Sequence, residues 1–445
     1  MMHALPVIAI FDIGRTNKKR LLFDTQYRLL DEQCVQLPET ADEDGFPSED
    51  LPLLTRWVKD SFDEMLTRKE IQVKAVNVSA YGASLVHLNK SLQPFTPLYN
   101  YLKPFPAALQ KEFKRKYDLD GLFAKQTASP ELGHLNSGMQ LYWLKNNQLP
   151  VFQEIRYSLH LPQYISFLLS GVCASDLTSI GCHTRLWDFE KQDYHEWVRM
   201  EGLQDKLAEI RSGDFVSKRQ SGGIQVGVGL HDSSAALIPY LSAFKEPFIL
   251  LSTGTWCISL NPFNHSPLTE QELKKDCLCY LSFQGKPVKA SRLFAGHDHE
   301  EYIKKLSYHF QCKEDYYLSV NPDARIFEKW LPVNDEEIAQ ACSSVNAFSH
   351  YEEAYHVGLI HILRQQKKST ELVLEPGSTK KIFVDGGFSK NKLFMHLLAL
   401  TFPEMEVYAA SLAQASALGA ALSIHHHWNV DALPGNLLEL KRYST

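Results

Sequence analysis

The sequence has no CxxC pair, no zinc-finger spacing and no long uncharged apolar run. Its eight cysteines (Cys34, Cys173, Cys182, Cys257, Cys277, Cys279, Cys312, Cys342) are scattered over 445 residues. That is far longer than a disulfide scaffold, so reduced thiols in the cytoplasm are the expectation. No uncharged apolar stretch approaches the roughly 18 residues of a membrane span. The first twenty residues carry Asp12, Arg15, Lys18, Lys19 and Arg20, so they lack the uncharged core of a signal peptide. Positive charge is in short supply as well: 46 Lys+Arg stand against 52 Asp+Glu, a formal net charge of −6. Nucleic acids and anionic membranes are bound through a Lys/Arg excess that displaces counterions, so neither is an expected partner. The densest basic run, Lys111 to Lys116, reads as an exposed helix face. Also missing are a GxxxxGK[ST] loop and a GxGxxG between strand and helix, with Gly227-Val228-Gly229 only a fragment, which removes the P-loop and the dinucleotide fingerprint.

What is present is a globular composition, 44% hydrophobic and 22% charged, with apolar surface enough for more than one core. At about 150 residues per domain the length predicts two or three domains and a cleft between them. Val7 to Phe11 is an apolar run, followed by the polar turn Asp12-Ile13-Gly14-Arg15-Thr16-Asn17-Lys18-Lys19 and a second run through Leu21, Leu22 and Phe23. Two strands joined by a turn is the reading. Residues 50–70 have helical spacing through Leu53, Leu54, Trp57, Val58 and Phe62, and Val73 to Val78 reads as another strand. Helices are expected at 137–149 and 162–170, and a surface connection at 211–223. Near 245 the pattern restarts: Phe248 to Leu251, the turn Ser252-Thr253-Gly254-Thr255, then Trp256 to Leu260. The two units lie about half the chain apart, the mark of a duplicated α/β framework. Ile382 to Asp385 leads into Gly386-Gly387 and a helical stretch from Leu393 to Leu400.

A turn between strands that offers backbone N–H groups, a glycine and hydroxyls is a phosphate cradle. Asp12 at the entrance of the first turn can hold a hydrated Mg²⁺, which prefers oxygen ligands, and Lys19 can screen phosphate charge. The alternative for each turn alone is a structural hairpin. In Leu230-His231-Asp232-Ser233-Ser234, Asp232 falls at the start of a packed helix. It reads either as a helix cap or as a general base taking a proton from a hydroxyl that attacks a phosphoryl group.

These segments, in this order, resemble the FGGY family of carbohydrate kinases, which share the actin-like ATPase fold. DIGRTNKK at 12–19 is similar to the family's first phosphate motif and LSTGTW at 251–256 to its second. GLHDSSAAL at 229–237 is similar to the catalytic segment, and VDGGFSKNKLFMHLLA at 384–399 with ASALGAAL at 415–422 to the adenosine end. WLK at 143–145 and the stretch from Leu161 to Gly171 agree. The resemblance implies two actin-like (ribonuclease H-like) α/β domains, 1–242 and 243–445, with the active site between them. It also implies ATP and Mg²⁺, with Asp12 holding the metal through water. Gly14, Thr16, Asn17, Lys19, Thr253, Gly254 and Thr255 would surround the phosphates, and Gly386, Gly387 and Asn391 the adenosine. Asp232 would be the base, and Tyr81, Gly82, Ala83 and His231 would meet the sugar. Pairing GTW with HD-S-S-A is similar to the rhamnulokinase branch, which favours a ketose such as L-rhamnulose or L-fuculose.

Two positions depart from the family pattern: Arg15 replaces a small or hydroxyl residue, and Tyr101 stands where relatives carry a sugar-binding aspartate. They keep three other readings open: a 5-kinase of the xylulokinase type, a polyol kinase, and a non-catalytic sugar or nucleotide sensor of the same fold. A metal phosphohydrolase built on His231-Asp232 or on His297-Asp298-His299-Glu300 is disfavoured by the strand and glycine-turn pattern. The 297–300 cluster reads as a solvated loop or helix start, His425-His426-His427 as a surface tract, and Trp187 and Trp256 as core. The expected partner is a small-molecule sugar, and a homodimer is the one further association left open.

Overall fold

The computed structural model describes residues 4–219, 222–375, 377–410 and 414–444. Strand β1 (Leu5–Ile13) is apolar throughout because both its faces are covered. Val7, Ala9, Phe11 and Ile13 pack against Leu51, Leu54, Val58 and Phe62 of α1 (Leu51–Thr67), while Ile8 and Ile10 face the opposite layer. Helix α1 starts where Asp50 accepts from the Leu53 N–H at 2.8 Å, satisfying one of the unpaired donors of its first turn. β1 runs antiparallel to β2 (Lys18–Phe23) and parallel to β4 (Ile71–Ala80), and β3 (Leu29–Val35) adds to the outside of β2. Beyond β4 come β5 (Val216–Lys218) and β6 (Gln225–Gly227), with the short β7 (Leu230–His231) also on β4.

Part of the stretch expected to be a surface connection, 211–223, is therefore sheet: β5 lies within it and pairs with β6 at the sheet edge. Val226 is buried against the α1 layer, and that burial overrides the local polarity. Gln220 and Ser221 lie outside the described residues.

The second seven-stranded sheet repeats the plan. β8 (Phe248–Thr253) is antiparallel to β9 (Cys257–Asn261) and parallel to β12 (Lys381–Gly386). The order is β10 (Cys277–Leu281), β11 (Pro287–Leu293), β9, β8, β12, β13 (Glu406–Ala410), β14 (Leu440–Tyr443). Ile249, Leu251, Ile382 and Val384 face the helices Ala295–Phe310, Tyr351–Glu371 and Lys392–Thr401, while Phe248, Leu250 and Phe383 face Tyr240 and Leu237. Each central strand is buried on both sides, which explains the unbroken apolar runs.

The two halves are stitched by α2 (Asp232–Ala236) and α3 (Ala415–Ser423). α3 follows the second sheet in sequence, yet Ala417, Leu418, Ala420 and Ala421 pack beside Ile8, Ile10 and Ala75 of the first. A Cβ on Gly419 would lie 1.8 Å from the Ala235 carbonyl oxygen, so the backbones of the two helices touch where only glycine fits. Asn77, fully buried in β4, donates through Nδ2 to the Ala420 carbonyl at 2.8 Å and to Ser423 at 3.1 Å. Its Oδ1 accepts from the Gly229 N–H at 3.1 Å. One side chain thus ties the first sheet to α3 and to the segment leading into Asp232. No described helix is long and apolar enough to cross a membrane.

Candidate active site

The second glycine turn and the start of α2 line a series of three cavities, while no residue of the first turn lines any of them. The first, about 590 Å³, is lined by Thr253, Gly254, Thr255, Gly387 and Asn391, with His299, Glu300, Lys304 and Tyr317 across from them. The second, about 270 Å³, is lined by Asp232, Ser233, Ser252, Asp385, Gly386 and Ser416. The third, about 340 Å³, is lined by Tyr81, Gly82, Ala83, Tyr101, His183, His231, Ser233, Trp256, Tyr280 and Arg292, among others. Ser233 borders the second and the third, so Asp232 stands at their junction.

Asp232 opens α2 without capping it. The cap position belongs to His231, and the Asp232 carboxylate accepts only from the N–H and hydroxyl of Ser233, at 2.6 and 3.2 Å. Burial at the cleft floor raises its pKa to about 6, while 36% of the side chain stays open. His231 Nε2 lies 3.2 Å from Asp232 Oδ1 and 3.3 Å from Cys182 Sγ. Burial pulls the imidazole down to about 4, so near pH 7 it lies beside the carboxylate as a neutral ring, with Cys182 Sγ as the hydrogen-bond partner of Nε2. A Cβ on Gly82 would come within 3.0 Å of that ring, so Gly82 makes room for it.

Across the second cavity Asp12, at the end of β1, accepts from the Ser416 hydroxyl at 3.0 Å. Its pKa rises to about 6, chiefly through burial and then through the charge of Asp232. Asp385, next to Gly386, is pushed to about 6 by burial, against an N–H bond from Gly386 at 2.8 Å. Asp232 and Asp385 line the second cavity and Asp12 adjoins it through Ser416, so the donors offered there are oxygens, which suit a hard cation. Among the described residues no cluster of three or more His, Cys, Asp or Glu could cage a metal. Mg²⁺ takes one or two carboxylates and keeps its remaining ligands as water and phosphate, and the oxygen chemistry of Asp12 and Asp385 fits it.

The first turn closes through the Gly14 N–H to the Asn17 carbonyl at 2.9 Å. Thr16 and Asn17 are exposed, and Asn17 Oδ1 accepts from Gln36. Lys19 reaches the cleft but pairs with Glu32 at 2.9 Å. In the second turn the Thr253 hydroxyl is committed: it donates to the Asp385 carbonyl at 2.5 Å and accepts from the Phe388 N–H at 3.0 Å. Gly254 and Thr255 are exposed toward the cavity. Gly386 has φ +89°, and a Cβ there would lie 1.9 Å from the Thr253 carbonyl oxygen. Asn391 caps the helix Lys392–Thr401 through its Oδ1 and donates to the Tyr355 hydroxyl at 2.7 Å.

In the third cavity the Tyr81 hydroxyl donates to Glu49 at 2.5 Å, and Lys18 pairs with the same buried carboxylate at 2.5 Å. The Tyr101 ring meets Tyr81 edge to face at 6.2 Å, and the Arg15 guanidinium stands 5.7 Å over it. Arg15 also pairs with Glu39, so its charge is shared with the rim. Ala83 sits at φ +62°, an uncommon conformation for a residue with a Cβ.

Three expectations are corrected here. Trp256 is 43% exposed and lines a cavity, whereas Trp187 is buried; the turn after Thr255 turns the Trp256 ring outward. The 297–300 cluster is a helix start with Asp298 and Glu300 exposed, as expected, but His299 is buried, at 2.9 Å from the Tyr355 hydroxyl. His425 is buried between Tyr27, at 2.6 Å, and the Asp431 carbonyl, and only His426 and His427 are exposed. Sequence reasoning also passed over Arg292, Tyr280, His183, Asp385 and Ser416. Asp385 and Ser416 fall inside motifs already singled out, while Arg292 belongs to none.

The profile described as the FGGY family of carbohydrate kinases, N-terminal domain, matches residues 7–233, and that of the carbohydrate kinase FGGY C-terminal domain matches 245–329. The chain is 21% identical to L-fuculokinase of Salmonella typhi over 94% of its own length and 91% of that protein's. It is 23% identical to rhamnulokinase of Halalkalibacterium halodurans over 42% of each. Among solved structures it superposes on a carbohydrate kinase from Novosphingobium aromaticivorans with TM-score 0.79 and 24% identity, covering 98% and 96% of the two chains. For a ligand-bound xylulose kinase from Lactobacillus acidophilus the TM-score is 0.82, with 14% identity over 99% and 94%. These two likenesses speak to the fold.

Proposed function

The chain belongs to the FGGY family of carbohydrate kinases, phosphotransferases with an alcohol acceptor that use ATP, and on that premise we propose that it phosphorylates a ketose, with L-rhamnulose and L-fuculose the first acceptors to try. The observation that carries the reading is Asp232, at the junction of a phosphoryl-sized cavity and an acceptor-sized one. In this reading the domains divide at 242/243. ATP lies along the first cavity, with its phosphates against Gly254, Thr255 and the Gly14 turn. Asp12 would hold Mg²⁺ through water. When bound, Mg²⁺ neutralises charge on the phosphate oxygens.

The acceptor occupies the third cavity with its hydroxyl toward Asp232. As that oxygen bonds to the γ-phosphorus, its proton passes to the Asp232 carboxylate and the bond from phosphorus to the β-phosphate oxygen breaks, leaving ADP. Ser233 donates its N–H and hydroxyl to Asp232 Oδ1 and so leaves Oδ2 to face the acceptor, with the neutral His231 ring packed beside the carboxylate. Tyr81, Gly82 and Ala83 form the floor beneath the sugar, and protein on both sides keeps water from competing for the phosphoryl group.

The test is ADP release with Mg-ATP against L-rhamnulose, L-fuculose, D-xylulose, L-ribulose, glycerol and several aldoses. Asp232→Asn is expected to lower kcat by about 10²–10⁴-fold, the usual contribution of a general base, with Mg-ADP binding retained. Turnover on D-xylulose or glycerol alone would move the reading to a 5-kinase or a polyol kinase, with NMR of the product locating the phosphate. Nucleotide binding without turnover on any acceptor would favour a sensor.

A further inference from the structure

The acceptor-side cavity has a wall from the second half, Trp256, Ile258, Tyr280 and Arg292, that the chemistry above does not use. The sheet register explains how an arginine comes to face it. Ile258 pairs with Arg292, Leu260 with Ala290 and Tyr280 with Val288, so side chains at these positions share one sheet face. Along β11 that face carries the buried Val288 and Ala290 and then ends on a guanidinium.

Arg292 is held on two sides. Nη2 donates to Asp276 Oδ1 at 2.6 Å and Nε to Oδ2 at 3.2 Å. The guanidinium carbon stands 5.5 Å from the centre of the Trp256 ring, which itself packs on Phe294 at 4.5 Å. The side chain is 11% exposed, and Nη1 donates to no described residue. A planar fork fixed on one edge by a carboxylate and on one face by an indole has its remaining donors aimed in a set direction.

The charge balance selects the ligand. The cavity lining holds no carboxylate, the Arg292 fork is paired with Asp276, and the positive charge of Arg292 and the negative charge of Asp232 are both felt at Tyr280, so the cavity carries a field of both signs. An anionic acceptor would compete with Asp276 and be repelled by Asp232; a neutral, oxygen-rich one meets neither obstacle. We propose that Arg292 is a specificity-determining residue supplied by the second half, donating from Nη1 to oxygens of a neutral polyhydroxylated acceptor while Trp256 flanks the acceptor's C–H face. The proposal rests on the sugar-kinase reading and adds to it the residue and the charge class that select the acceptor. Trp256 directly follows Thr255, so the turn that meets ATP and the wall that meets the sugar are one piece of chain.

The experiment compares wild type, Arg292→Gln, Arg292→Lys and the double variant Asp276→Asn/Arg292→Gln. Steady-state kinetics are run at saturating Mg-ATP on the acceptor that the panel identifies and on the aldonate of the same carbon number, and Mg-ADP is titrated calorimetrically into each protein. Losing a charged donor is expected to raise the acceptor KM of Arg292→Gln by about 10- to 100-fold with kcat changed by less than about threefold. Arg292→Lys should lie between Gln and wild type. The double variant, which strands no carboxylate, should be no better than the single one, and Mg-ADP affinity should hold throughout. An unchanged acceptor KM in Arg292→Gln, recovery of KM in the double variant, or Mg-ADP affinity falling in step would overturn the role of Arg292. A wild-type preference for the aldonate would overturn the neutral class while leaving the kinase standing. Silence of the wild type across the acceptor panel with Mg-ADP still bound would remove the kinase reading and, with it, this one.

Discussion

Asp232 titrates where a cell can feel it. Burial lifts its pKa to about 6, and only the ionised carboxylate accepts a proton, so activity is full above that value and falls as pH drops through it. The acid limb of kcat/KM for the acceptor is therefore expected near pH 6, against about 4 for an ordinary aspartate. Asp12, also near 6 and biased by Asp232, shares the limb, so the apparent value belongs to the pair. A limb that stays near 4 would mean the carboxylates are solvated in the working enzyme. His231 adds no second limb in this range, because burial holds it at about 4. Arg15 and Tyr101 are joined in the structure: the guanidinium stands over the ring and pairs with Glu39, so Tyr101 gives the third cavity a neutral aromatic wall.

Among the elements, β8 and β12 are joined tightly at their C-terminal ends, where Thr253 pairs with Gly386. Gly386 has φ +89° and ψ −152°, a region open essentially to glycine alone, and a Cβ there would strike the Thr253 carbonyl oxygen at 1.9 Å. Gly386→Ala is expected to destabilise by at least on the order of 1–3 kcal/mol from backbone conformation, read as a lowered urea midpoint at unchanged m. It should also weaken Mg-ADP binding, because the clash moves the turn that carries Gly254 and Thr255. Gly387→Ala, with nothing within 4 Å of its Cβ, serves as the control for the urea midpoint alone. A Gly386→Ala protein with wild-type midpoint and affinity would show that the strand ends are free to separate. These elements were legible in the sequence because each is a long apolar run broken by a glycine turn. The hairpin of β5 and β6 was not, because its strands are three residues each and owe their pairing to the neighbouring β4.

At the scale of the whole molecule the two halves are joined by shared apolar clusters, and Asn77 is the buried polar tie within that junction. It bonds α3 and the Gly229 segment at once, so Asn77→Ala leaves buried partners unsatisfied at a cost of about 1–3 kcal/mol each. The expected result is a lower thermal midpoint together with a lower kcat, since Gly229 leads to Asp232 and α3 carries Ser416 to Asp12. Loss of stability with kcat unchanged would show that the base is held by its own helix alone. The same long reach separates what could be read from what could not. By itself the sequence determined the two strand-turn-strand units, the α/β class and the order of the phosphate, base and diglycine segments, because periodicity and turn chemistry act over neighbouring residues. Only the tertiary structure decided that Trp256 faces a cavity, that His299 and His425 are buried, that Ser416 bonds Asp12 across 404 positions, and that Arg292 ends an apolar row at the acceptor wall. Those outcomes depend on which surface of one half is pressed against the other, and burial, field and partner are properties of that contact rather than of any local stretch of chain.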